Sequence, residues 1–167
     1  MNVPDVVKAL VIIFLFLFSA GYSQEIEDIL KSRQFVLEAS KITDDEGLAS
    51  PANKKLCFVM LDSSRIVVQW IADCDNNGLG GITMKGEVTS FDLKKERIKK
   101  ETQYTVMLNC IMDKGRVKGD LKIEVYSKTH ADAVLINNTS SLFVPKEMKI
   151  LGKIVPLQSS KVIVGSY

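Results

Sequence analysis

The chain has 167 residues, of which 46% are hydrophobic and 25% charged, and 22 Lys and Arg against 20 Asp and Glu give a formal charge of +2. This length suits one globular domain, and 10 Gly and 4 Pro are too few for a collagen-like or low-complexity chain. The weak net charge gives no support to a nucleic-acid partner.

The N-terminus has the pattern of a secretory signal peptide. An apolar run at residues 9–20, ALVIIFLFLFSA, follows Lys8 and ends in small residues. The run is too short for a membrane span, which takes roughly 20 residues. We therefore predict that residues 1–23 are a signal peptide cleaved near Ser23. An uncleaved N-terminal anchor is the alternative, because Asp5 weakens the basic flank.

Cleavage would produce a free, exported protein in the periplasm or associated with the outer membrane, with no transmembrane segment in the mature chain. Export is a second argument against a nucleic-acid partner. Three cysteines remain, and an odd number in an oxidising compartment leaves a thiol unpaired or implies an intermolecular bond. Cys57 and Cys110 lie in apolar runs, which predicts that both are buried, whereas Cys74 lies in a polar stretch.

The mature chain begins with helical periodicity and then changes to the period of a strand. Ile26, Ile29 and Leu30 recur at helical spacing, which predicts a short helix at residues 24–33. A single β domain at 34–167 follows, interrupted early by the polar stretch 42–55.

Apolar and polar residues alternate along most of the β domain, which predicts strands with one buried and one wet face. Long amphipathic helices between them are missing from the sequence pattern, which argues against parallel β-α-β units. The prediction is therefore an antiparallel meander that closes into a barrel or forms a two-layer sandwich. Strands are predicted at residues 35–40, 56–61, 65–71, 82–91, 102–112, 117–126, 131–136, 148–155 and 161–164.

One loop resembles the first half of a calcium-binding loop. Asp73, Asp75 and Asn77 occupy alternate positions and Gly78 follows, so that oxygen ligands could converge on a cation. The twelfth position is Met84 in place of a bidentate Glu, and a strand is predicted to follow where a helix is required. An ordinary turn is therefore the competing interpretation.

The sequence offers no recognisable catalytic motif or cofactor site. His130 is the only histidine, and no nucleophile elbow accompanies it, so we predict that the protein is not an enzyme and uses no cofactor. The glycine-rich segment 77–81 lacks the spacing of a phosphate-binding loop. The basic run 94–100 is predicted to be a lysine-rich hairpin tip.

Apolar side chains of the predicted barrel could line a ligand cavity. Trp70, Met84 and Tyr104 are the candidate ligand-binding residues, because small barrels often leave a cavity at the mouth. A packed core uses the same residue types and is the alternative interpretation.

A series of short motifs runs through the mature chain: FVLEA (35–39), CFVMLD (57–62), VVQW (67–70), NGLGGITMKGEVTSF (77–91), YTVMLN (104–109) and GKIVP (152–156). Taken in order, these motifs resemble the domain of unknown function 4251 (DUF4251) family of exported Bacteroidetes proteins. The resemblance covers nearly all of the mature chain and implies an exported envelope protein with a lipocalin-like barrel and no established activity. The chain departs from the family pattern at Asp73 and Asp75 and in the region from Asn137 to Lys146.

These observations lead to two functional hypotheses. In the first, the protein is a non-enzymatic envelope protein that binds a small apolar ligand or an envelope partner protein through its barrel. In the second, the barrel core is filled and the protein is a structural or interaction component of the envelope. An enzyme acting through dispersed carboxylates is a third hypothesis.

Overall fold

A computed structural model of the protein describes nine antiparallel strands and a short helix within residues 25–43, 47, 49–71, 81–98, 101–127, 129–139, 146–162 and 164. Helix α1 covers residues 25–32, and short 3-10 helices lie at Asp113–Gly115 and Leu157–Ser159. The strands are β1 (Gln34–Thr43), β2 (Ala49–Pro51), β3 (Phe58–Asp62), β4 (Arg65–Ile71), β5 (Gly81–Ile98), β6 (Glu101–Met112), β7 (Val117–Ser127), β8 (His130–Asn137) and β9 (Glu147–Pro156).

The strands close into an 8-strand barrel. From β3 to β9 each strand pairs with the next along the chain, and β1 joins β3 to β9. The closing pairs run from Phe35 with Pro156 to Thr43 with Lys149. The short strand β2 lies outside this closed ring and pairs with the last residues of β1. Of the two predicted architectures, the barrel is therefore confirmed, because a sandwich has no closing pair.

The barrel interior is filled by side chains from alternate strand positions, as expected for a barrel of this size. Every closed-ring strand contributes to one core cluster in which no residue is more than 4% exposed. Cys57 and Cys110 both lie in this core, as predicted. The largest fully buried side chains in it include Leu30, Phe35, Leu37, Leu61, Ile66 and Leu121.

The two ends of the barrel differ in what covers them. Helix α1 lies at the end where β1 begins, and its residues Ile26 and Leu30 are buried in the core. The β3–β4 turn at residues 63–64 lies at this helix end, with Ser63 at φ 61. The β4–β5, β6–β7 and β8–β9 connections all lie at the opposite end, which we call the loop end. Among the described residues, α1 is the only α-helix, and it lies at the helix end.

A second, smaller apolar cluster lies on the outside of the barrel. Val36 and Phe58 are fully buried there and Val67 is 7% exposed. Part of their cover comes from residues 157–162, which follow β9 and which we call the strap. The outer face of β1, β3 and β4 is therefore apolar and covered at Val36, Phe58 and Val67, in contrast to the alternating pattern predicted for the sheet.

Two glycines allow the sheet to bend near the places where the register between neighbouring strands shifts. A Cβ on Gly86 of β5 would lie 2.1 Å from the carbonyl oxygen of Ile111, and a Cβ on Gly152 of β9 would lie 2.2 Å from that of Glu38. The register shifts near each glycine, between Val88 and Ser90 and at the residue after Ala39. Glycines beside β-bulges are the usual means of curving a closed sheet.

Most predicted elements are confirmed, including the short helix and the meander of strands. The strand predicted at 161–164 is wrong, because described residues 161, 162 and 164 lie outside any strand. β5 runs to Ile98, beyond its predicted end at 91, because β6 pairs with it along this whole extension. The predicted loop 42–55 contains β2.

Two further predictions fall outside the described residues: the signal peptide at 1–23, and the calcium hypothesis on Asp73, Asp75 and Asn77. Both stay predictions. Within the described ranges, no helix is both long and apolar enough to span a membrane.

Candidate functional site

The three candidate ligand-binding residues do not lie at one place. Trp70 pairs with Ile82 across the β4–β5 ladder, and Met84 pairs with Val68, so both lie near the loop end. Tyr104 pairs with Lys95, which is 11 residues beyond Met84 on β5. At about 3.3 Å per residue, that separation is about 36 Å along the strand. Trp70 and Met84 are neighbours, whereas Tyr104 belongs to the helix end.

Burial also separates these residues. Met84 and Tyr104 are 3% and 2% exposed and belong to the packed core. Trp70 is half-buried and packs against that core, together with Ile82, Ile42 and Ala52. Trp70 and Ile82, which pair across the β4–β5 ladder, form what we call the loop-end rim. Of the predicted ligand residues, Trp70 is therefore the one whose side chain a bound molecule could touch without rearrangement of the core.

The two buried polar side chains near the loop end are held by hydrogen bonds. Gln69 Nε2 donates to the carbonyl oxygen of Leu56 at 3.0 Å, and Thr83 Oγ1 donates to Gln69 Oε1 at 3.0 Å. Asn137 Oδ1 accepts from the backbone N–H and the hydroxyl of Thr139, at 3.0 and 2.6 Å. Buried amides satisfied in this way fix strand and loop geometry.

At the helix end, Tyr104 anchors α1. Tyr104 Oη donates to Glu27 Oε2 at 3.3 Å, and Lys95 Nζ donates to the same oxygen at 2.6 Å. Lys31 Nζ lies 2.6 Å from Glu27 Oε1. The hydrogen bonds from Lys31 and Lys95 lower the pKa of Glu27 from 4.5 to about 2. Tyr104 thus has a structural role that the sequence pattern did not indicate.

A groove of about 760 Å³ lies outside the helix end, between α1 and the end of β9. Its walls combine carboxylates, amides and a hydroxyl with apolar surface, so it suits an amphipathic segment better than a purely apolar molecule. The groove could not be predicted from the sequence, because it forms between parts of the chain that are far apart in sequence. Its lining residues are Glu25, Asp28, Ile29, Ser32, Gln34, Pro156, Leu157 and Gln158.

His130 lies on the outer surface of β8. Its Nε2 is 3.4 Å from Asp132 Oδ1, and its ring centroid is 5.3 Å from that of Tyr126. Tyr126 Oη in turn donates to Glu124 Oε2 at 3.1 Å. The pKa of Tyr126 is raised, mainly by partial burial and to a smaller extent by this hydrogen bond. These groups form a surface cluster on β7 and β8, in which the His130 imidazole lies beside a carboxylate and a phenol ring.

The closed sheet and its buried interior place the protein in the class of antiparallel β-barrels with an N-terminal helix. Within that class, the chain is similar to the crystal structure of a DUF4251 family protein from Bacteroides eggerthii DSM 20697. The TM-score is 0.58 at 23% identity, and the match covers 84% of this chain and 93% of that chain. This is the family that the sequence motifs resemble, and the barrel fold implied by the resemblance is confirmed. No protein-family model and no curated protein matches the sequence.

Proposed function

We propose that the protein is an exported, non-enzymatic interaction protein of the cell envelope, in which the barrel is a filled scaffold and its outer surface binds a partner protein. The observation that carries the proposal is the packing of the interior. Core side chains from all the closed-ring strands are at most 4% exposed, including Met84 and Tyr104, which a ligand cavity would have to expose.

Among the described residues, the two carboxyl groups with a shifted pKa, Glu27 and Glu124, lack the environment of a general acid. The carboxylates of Glu27 and Glu124 are engaged by Lys95 and Lys122, each at 2.6 Å. The pKa of Glu124 is lowered, mainly by its hydrogen bond with Lys122. A carboxyl group that serves as a general acid at neutral pH needs the opposite shift, a pKa raised by burial.

Ligand titration of the mature protein tests the filled scaffold. Trp70 is the only tryptophan, so its fluorescence reports on the loop end. We expect no saturable change in emission when palmitate is added, because the packed interior offers no room for an acyl chain. A saturable change with one site per chain would overturn the filled-scaffold proposal.

A second candidate function, binding of a small apolar ligand, is favoured by the loop-end rim around Trp70. If this function is correct, Ile82→Asp would abolish the fluorescence response, because a carboxylate next to the bound acyl chain is costly to desolvate. Ile136→Asp is the matched control, since Ile136 is 43% exposed on the outer face of β8 and lies away from the rim.

Native mass spectrometry of protein purified from its own envelope separates the two functions directly. We expect a stoichiometric protein partner, and a bound small molecule in its place would support the ligand hypothesis. The export proposal has its own test, N-terminal analysis of the same sample. We expect the chain to begin at Gln24, and recovery of intact Met1 from the membrane fraction would contradict cleavage.

A further inference from the structure

An apolar patch lies on the outer face of the barrel between β9 and β4. Val36 pairs with Val155 on one side and with Met60 on the other, and Met60 pairs with Val67. Phe58 lies beside this row on β3 and is fully buried. Side chains that face each other across a ladder pack together, so these residues form a continuous apolar surface over four neighbouring strands.

The strap, which begins with the 3-10 helix Leu157–Ser159, covers part of this patch. Leu157 and Val162 pack against it. Ser160 Oγ donates to Glu38 Oε1 at 2.9 Å, and Lys153 Nζ lies 3.5 Å from the other oxygen of that carboxylate. The patch is therefore occupied by a segment with two aliphatic side chains five positions apart and a hydroxyl between them.

The attachment of the strap differs from that of the strands. Its described hydrogen bonds are the side-chain bond from Ser160 to Glu38 and a local backbone bond from Ser160 to Leu157. Leu157, Ser160 and Val162 all remain partly exposed. Among the described residues, release of the strap would thus break the hydrogen bond from Ser160 to Glu38 and uncover part of the surface of Val36 and Phe58, which are fully buried in its presence.

The groove at the helix end gives a second chain access to the edge of the strap. Leu157 belongs both to the outer apolar cluster and to the wall of the groove. Ile29 and Pro156 extend the apolar part of that wall toward α1. With about 760 Å³ of open volume, the groove can accommodate several residues of an incoming peptide beside the strap.

We propose that the outer patch is the binding surface for a peptide segment of the partner protein, and that the strap occupies this surface in cis until the partner displaces it. This inference rests on the proposed function as an interaction protein. The chemistry of the strap defines the expected partner segment: two aliphatic side chains five positions apart, with a hydroxyl that reaches Glu38. The groove supplies the additional contacts that a partner needs to compete with a tethered segment.

The proposal is tested with a fluorescein-labelled peptide of residues 157–164, LQSSKVIV, followed by fluorescence anisotropy. In the wild-type protein the tethered strap competes at an effective concentration in the millimolar range, so the peptide should bind weakly. Val162→Asp weakens the cis strap, and we expect it to bind the peptide at least roughly tenfold more tightly than wild type. Lys161→Ala is the matched control, because Lys161 is exposed, and it should behave as wild type.

A milder variant covers the case in which Val162→Asp fails to fold. Ser160→Ala removes only the hydroxyl that reaches Glu38 and should bind the peptide a few-fold more tightly than wild type. Wild-type peptide affinity in both variants, with unchanged cooperative melting by circular dichroism, would overturn the proposal. Dimerisation of the variants on light scattering without peptide binding would also overturn it, in favour of a second copy as occupant. Neither result affects the filled-scaffold proposal, which depends on the palmitate titration.

Discussion

The two walls of the barrel use the same strand geometry but meet different surroundings. In β6, β7 and β8, which we call the solvent-facing wall, buried and exposed residues alternate almost without exception. In β1 and β3, which with β4 form the covered wall, three and two consecutive residues are buried. Apolar and polar residues therefore alternate along a strand only when its outer face meets water. When both faces are covered, the strand has a continuous apolar sequence.

The strongest test of this comparison is truncation of an outward-facing side chain on each wall. Phe58→Ala on the covered wall should lower the free energy of unfolding by about 3–5 kcal/mol, because the ring is fully buried within the outer apolar cluster. Met107→Ala on β6 should change it by no more than about 0.5 kcal/mol, since Met107 is 41% exposed. Urea unfolding of both variants measures the difference. Equal effects would mean that the strap does not cover its patch in solution.

The seams between the walls lie in β5 and β9, and their glycines give the next largest effect. Gly86→Ala and Gly152→Ala should each lower the free energy of unfolding by about 1–3 kcal/mol, because the new methyl group meets backbone atoms of the adjacent strand. Gly119→Ala on β7 is the control. Its nearest contact, 3.2 Å to Leu135 Cδ1, is with a side chain that can move. Similar losses at all three positions would contradict a special role for the seams.

The helix end provides a prediction about pH. Because the pKa of Glu27 is lowered from 4.5 to about 2, its contribution to stability is fully present above about pH 4.5 and is lost as the pH falls toward 2. Glu27→Gln should remove this part of the pH dependence while leaving the strands intact. Thermal melts of both proteins between pH 2 and pH 7 measure it, at roughly unit intervals. Parallel curves for the two proteins would show that Glu27 does not hold α1 on the barrel in solution.

The last prediction concerns the reactivity of Cys110, which points inward from the solvent-facing wall and is expected to be alkylated very little. Burial, and to a smaller extent the negative charge of Asp120, raises the pKa of the Cys110 thiol from 9.0 to about 11. The thiolate is the reactive form, so native Cys110 should resist iodoacetamide at neutral pH. Peptide mass spectrometry after brief alkylation, with a urea-unfolded sample as the control, measures this. Rapid native alkylation would indicate that the solvent-facing wall opens locally.

Much of the fold could be predicted because the relevant signal is local. The alternation of Leu121, Ile123 and Val125 with polar neighbours identifies β7 without knowledge of its partners. The strap could not be predicted in the same way. Residues 161–164 have the composition of a strand, but Val162 packs on Val36 and Phe58, more than 100 positions earlier. The continuous apolar run CFVML was the available signal that β3 is covered on both faces.

The candidate site depended still more on tertiary contacts. Trp70, Met84 and Tyr104 have the side chains of a ligand cavity, but the register of β5 with β6 places Tyr104 far from the other two. Tyr104 instead donates a hydrogen bond to Glu27 of helix α1, which is 77 positions earlier in the sequence.

The sequence by itself determined the short helix, the order of the strands and, on the solvent-facing wall, which residues point into the core, because burial of one face imposes a period that is visible in any few consecutive residues. The tertiary structure decided that the meander closes through β1 and β9, that one wall is covered from outside, and that the predicted ligand residues lie at opposite ends. Each of these depends on pairs such as Phe35 with Pro156, and the periodicity of one segment carries no information about its distant partner.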